Sequence, residues 1–159
     1  MEILGSLLDI NYSLFEVFGY QMSFIELFGT LTGLTSVWLA AKANVHTWTI
    51  GIFNVIAFFI IYYQIQLYSD MFLQVFFLGM SILGIWQWLK KKPANKDKKV
   101  SALKPKFRII LSVSIIGITL ILGYIIARIH LYFPDYFNKP ASYPYPDALT
   151  TVLSIFATF

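Results

Sequence analysis

The chain contains no cysteine among its 159 residues, so neither a disulfide framework nor a thiolate metal site is open to it. Its two histidines, His46 and His130, are too few and too separated for a metal centre, and no cofactor is expected. Charged side chains make up only 13% of the residues. The first twenty residues carry no Lys or Arg, and no small-residue cleavage site follows them, so a secretory signal peptide is not read here. There is also no Walker sequence, no phosphate-cradling glycine loop, no nucleophile beside a base and no pair of carboxylates on one helix face. Those absences argue against an enzyme and against ATP-driven pumping by this chain.

What the sequence does hold is apolar surface. Hydrophobic residues make up 58% of the chain and aromatics 18%, and the mean hydropathy is +0.69. A water-soluble domain has no interior large enough to hide that fraction. A spanning helix needs roughly 20 apolar residues, and four segments qualify, at residues 22–41, 48–67, 71–89 and 107–129. Only Tyr68, Ser69 and Asp70 separate the second from the third, which predicts a tight antiparallel hairpin. In the fourth segment the polar interior groups are Ser112, Ser114 and Thr119, each able to bond back to its own helix, so that helix can face lipid.

The formal net charge is +4, with nine of the twelve Lys and Arg residues between Lys90 and Arg108. That run lacks interleaved aromatic rings, which argues against nucleic acid as a partner. It reads instead as a cytoplasmic loop, since such loops retain Lys and Arg. The resulting organisation is an outer interfacial segment at 1–21, a first three-helix bundle at 22–89, a basic cytoplasmic loop at 90–106, a connecting spanning helix at 107–130, an outer loop at 131–146 and the start of a second bundle at 147–159. The partner in this reading is the lipid bilayer, and the location is the inner (cytoplasmic) membrane, crossed several times.

Residues 147–159 cover only about 20 Å as helix, short of the roughly 30 Å hydrocarbon core, which suggests that the sequence is an interrupted version of a longer protein. Glu26, Thr30 and Gly33 at the start of the first span match Asp147, Thr151 and Ser154 in type and spacing. Two parallel repeats joined by the fourth helix would produce that match.

Three constellations carry polar chemistry within the spans. Gln74, Ser81 and Trp88 recur every seven residues on the third, with Asp70 one turn earlier. Trp48, Gly51 and Asn54 share a broad face of the second, where the Asn amide offers donors and acceptors. Gly29, Gly33 and Ser36 line one side of the first, a spacing that marks close helix packing. The amides serve equally well for interhelical bonding or for a ligand. Trp48 and Trp86 also fit an interfacial aromatic belt.

The run TWTIGIFNVIAFFIIYYQIQLYSDMFLQVFFLGMSILGIWQWLKKK at residues 47–92 contains W-x-x-G-x-x-N, then L-Y-x-D-x-x-L-Q, then G-x-x-x-W. With P-D-A-x-T-T-V-L-S-I at 146–155, it resembles the PnuC family of vitamin transporters. The resemblance implies an all-α polytopic membrane protein of SWEET-like 3+1+3 architecture, here incomplete, with two parallel three-helix bundles around a linker helix. It implies facilitated diffusion of nicotinamide riboside or a similar aromatic vitamin, trapping by a separate cytoplasmic vitamin kinase, and a homo-oligomer. The positions that match the family's substrate-binding residues are Trp48, Asn54, Gln74 and Trp88. The paired tryptophans of the family's second bundle are absent, so the 159-residue chain is expected to bind and carry weakly unless it assembles with another copy. Thiamine, riboflavin and sugar carriers remain alternatives, as does a non-transporting membrane interaction or assembly protein.

Overall fold

The computed structural model describes residues 7–17, 19–90 and 105–158. All but the ends of the basic loop lie outside them. A short hairpin opens the described chain: β1 (Ser13–Val17) pairs antiparallel with β2 (Tyr20–Ser23). Gly19, at φ 85, supplies the left-handed conformation that the reversal requires. These two strands begin within the segment at 1–21 that the sequence reads as interfacial. Phe15, Val17 and Tyr20 around that glycine are the β-favouring signal for them.

Helix α1 (Phe24–Ala41) begins in a capping box. Ser23 Oγ accepts from the Glu26 amide, while the Ser23 amide donates to Glu26 Oε2 at 2.8 Å, so the first turn is satisfied from both sides. Tyr20 Oη donates to the other carboxylate oxygen at 2.6 Å, which ties the hairpin to the helix. Helix α2 (His46–Gln64) returns beside α1 after a link in which Ala43 is left-handed. Between them lies a core of Ile25, Ala57 and Ile61, with Phe58 and Ile10 against it. At the far end of α2, Gln64 accepts from the Ile10 amide at 2.9 Å and donates to Leu8 O at 2.7 Å, holding the N-terminal segment by both ends of its amide.

Helix α3 runs from Tyr68 to Leu89. The expected three-residue separator is therefore corrected. Tyr68, Ser69 and Asp70 form the first turn of α3, and the reversal falls on Ile65, Gln66 and Leu67, with Gln66 left-handed at φ 59. Helix α4 (Pro105–Ala127) is followed by the short α5 (Ile129–Tyr132) and by α6 (Pro144–Thr158). Among the described residues, four helices are long and apolar enough to cross a membrane: Phe24–Ala41, His46–Gln64, Tyr68–Leu89 and Lys106–Ala127.

The chain forms two compact units, one built on α1, α2 and Met71–Leu89, the other on Gln66–Asp70 with α4, α5 and α6. In the second, α4 packs along α6 and is more than a lipid-facing connector. Gly123 makes this possible, for a Cβ there would stand 2.5 Å from the Tyr145 ring. Thr119 departs from expectation as well, since its buried hydroxyl makes no hydrogen bond to its own helix. The Asp147 carboxylate of α6 accepts from the amides of Ser69 and Asp70 at 2.8 and 3.0 Å, capping α3. Asp70 Oδ1 in turn accepts from the hydroxyls of Thr150 and Thr151, both at 3.1 Å. Buried Tyr68 donates to Lys139 O at 2.9 Å and meets the Phe137 ring edge-on, so the Pro- and Tyr-rich loop is seated on the start of α3.

Candidate functional site

The first unit holds a cavity of about 570 Å³ lined from three helices. Its size falls within the roughly 300–1,000 Å³ typical of small-molecule sites. Helix α1 contributes Ser36; α2 contributes Trp48, Gly51, Asn54, Phe58 and Tyr62; α3 contributes Gln74, Phe77, Met80 and Ser81. None of the described lining residues is an Asp or Glu.

The small residues of α1 explain how Asn54 is placed. A Cβ at Gly29 would touch Phe58 at 3.2 Å, and one at Gly33 would lie 2.9 Å from Asn54 Nδ2. The two glycines thus bring the α1 backbone close enough for Asn54 Nδ2 to donate to Gly29 O at 2.6 Å. Ser36 extends the contact by donating to Thr47 O at 3.0 Å, while Thr47 Oγ1 donates to Ser36 O at 2.8 Å. Gly29, Gly33 and Ser36 all face α2.

The opposite wall is α3. Gln74 and Ser81, two turns apart on one stripe, are each only 8% exposed and turn inward. Neither side chain meets a hydrogen-bonding partner among the described residues, and the same holds for Asn54 Oδ1. The Trp48 indole N–H is buried without an acceptor. An unmade bond on a buried polar group costs about 1–3 kcal/mol, and the Trp48 N–H is such a group on the wall of this cavity. Aromatic faces line the cavity as well. Phe58 and Tyr62 lie one turn apart with ring centroids 5.6 Å from each other.

Trp48, Asn54 and Gln74 therefore share one cavity, and Trp88 does not. It lies 48% exposed beyond Trp48, where it lines a separate hollow of about 330 Å³ with Gln87, Met80, Leu83 and Gly84. Asp70, at the head of the Gln74 stripe, is engaged by Thr150 and Thr151 instead. Sequence reasoning missed Phe58, Tyr62, Phe77 and Met80. The first two were within reach, since Asn54, Phe58 and Tyr62 follow each other every four residues.

The sequence model of a family described as nicotinamide mononucleotide transporter matches residues 23–159. The chain is 32% identical over 155 residues to nicotinamide riboside transporter PnuC of Escherichia coli (strain K12), and equally to that of Shigella flexneri. The alignment takes in 87% of this chain and 65% of each relative. No solved structure matches the chain.

Proposed function

The chain belongs to the nicotinamide mononucleotide transporter family and is a multi-pass membrane protein, and on that premise we propose that it carries nicotinamide riboside or a related aromatic vitamin by facilitated diffusion. The observation that carries this reading is the cavity lined by Asn54, Gln74 and Ser81, on whose wall Trp48 Nε1 is buried without an acceptor among the described residues. Nicotinamide riboside has a flat cationic ring, a carboxamide and a ribose. The carboxamide and ribose hydroxyls fit the amides and the serine hydroxyl. The ring fits between aromatic faces, each contact adding about 0.5–1.5 kcal/mol beyond burial.

The absence of a carboxylate among the described lining residues suits a passive carrier. A buried Asp or Glu would hold the cationic ring in a deep well, whereas a carrier must also let its cargo leave. The chain has no energy source of its own, so net uptake rests on trapping by a cytoplasmic vitamin kinase. The remaining parts of this reading are a basic loop in the cytoplasm, residence in the inner membrane, a homo-oligomeric working form and a 3+1+3 arrangement built on parallel repeats. Trp88 serves in this scheme as an outlying substrate contact.

Equilibrium binding of labelled nicotinamide riboside to membranes carrying the protein tests the proposal. Gln74→Leu is expected to weaken binding about tenfold or more, the equivalent of one lost buried hydrogen bond. Unlabelled sucrose should not compete. Equal affinity in the wild type, Gln74→Leu and Asn54→Ala would remove the basis of the reading. A second reading, a non-transporting assembly protein, is favoured by the Asn54–Gly29 bond, since part of the cavity's polar chemistry already holds helices together. It predicts that Asn54→Ala lowers thermal stability in a protein that binds no vitamin at all.

A further inference from the structure

Trp48 lines two of the cavities of the first unit. It lines the main chamber with Gly51, Asn54, Gln74 and Ser81, and it lines the outer hollow with Gly84, Gln87 and Trp88. Along α3 the order is Ser81, Gly84, Trp88, separated by three and four residues, or about 4.5 and 6 Å of helix rise. The indole, together with Met80, which also lines both, thus stands between chamber and hollow.

Two features mark the indole as adjustable. The ring lies directly against the α3 backbone, and a Cβ at Gly84 would stand 2.5 Å from Cδ2 and 2.6 Å from Cε2 and Cε3. Any side chain at 84 would displace it. In addition, the indole N–H is sealed in this position without an acceptor, so nothing polar anchors the ring there. A rotation that brings the N–H to an acceptor in the hollow or the chamber is favoured by the bond it gains.

We propose that the Trp48 indole is a movable partition between the main cavity and an outer vestibule of Gln87 and Trp88, with Gly84 as the recess in which the ring rests. A flat heterocycle leaving the chamber toward the end of α3 must pass this ring, and the vestibule offers it a second indole and a second amide. The passage assigned to the heterocycle rests on the carrier reading. The partition itself is a property of the protein alone.

Because the chain has no cysteine, a single introduced thiol reports on one place. Ser81→Cys marks the chamber and Gln87→Cys the vestibule. Each is modified with a membrane-impermeant cationic methanethiosulfonate in permeabilised membranes containing the full chain, with no vitamin present. Adding Trp48→Ala should speed modification at Ser81→Cys by about tenfold or more while changing Gln87→Cys by less than about twofold. Gly84→Ala, which unseats the ring without deleting it, should also speed the chamber thiol, and Trp48→Phe should give an intermediate rate. The unchanged vestibule thiol shows that the variants are folded. Equal chamber rates in all four backgrounds would refute the partition. The carrier reading fails separately, through lack of protection of Ser81→Cys by nicotinamide riboside.

Discussion

Asn54 uses its amide in two directions. Nδ2 is committed to Gly29 O, while Oδ1 is left to the cavity, so the residue both packs helices and offers an acceptor. Gly33 is the condition for both, because a Cβ there would lie 2.9 Å from Nδ2. Gly33→Val should therefore destabilise the first unit by about 1–3 kcal/mol, as overpacking does, seen as an earlier thermal transition of the purified protein. Gly79 has open space around it, so Gly79→Ala is the matched control and should leave the transition in place. At this scale Trp48, Asn54 and Gln74 were legible because Asn, Gln and Trp inside apolar helices must find partners or line a cavity. The Gly33 and Gly84 contacts were not legible in detail, since a glycine in an apolar helix does not say which ring or amide lies against it. Trp88 shares the stripe of Gln74 and Ser81 by spacing, yet it lines the neighbouring hollow and not the cavity that holds them.

Among the elements, α3 has the least local beginning. Its first amides are satisfied by Asp147, 78 residues from Ser69 and 77 from Asp70 in sequence. Asp147→Ala leaves both amides without their acceptor and should cost about 1–3 kcal/mol. Hydrogen exchange at the Ser69 and Asp70 amides should rise accordingly, with little change at the start of α1. That start is capped locally by Ser23 and Glu26, with Tyr20 bonded to the Glu26 carboxylate, and S-x-x-E at 23–26 is a capping signature readable from sequence. The parallel drawn between Glu26 and Asp147 holds in residue type and spacing. In the structure Glu26 caps its own helix and Asp147 caps α3. A cap supplied from so far along the chain has no local pattern, which is why Tyr68, Ser69 and Asp70 read as a separator. The packing of α4 on α6 through Gly123 and Tyr145 was hidden for the same reason.

For the whole molecule, hydropathy located all four long helices to within a few residues, because burial in lipid demands unbroken apolar length more strictly than a soluble core does. The outward faces of those helices, among them Leu34, Phe53, Ile116 and Leu120, are exposed and apolar in the manner of surfaces turned to acyl chains. What hydropathy alone could not supply is a cavity with unused hydrogen bonds, and the account of function depends on that cavity. The most direct test is protection of the Ser81→Cys thiol by ligand. Saturating nicotinamide riboside should slow its modification at least about tenfold by occupying the chamber, while an equal concentration of sucrose leaves the rate unchanged. A rate unaltered by nicotinamide riboside, or slowed equally by the sugar, would contradict the account.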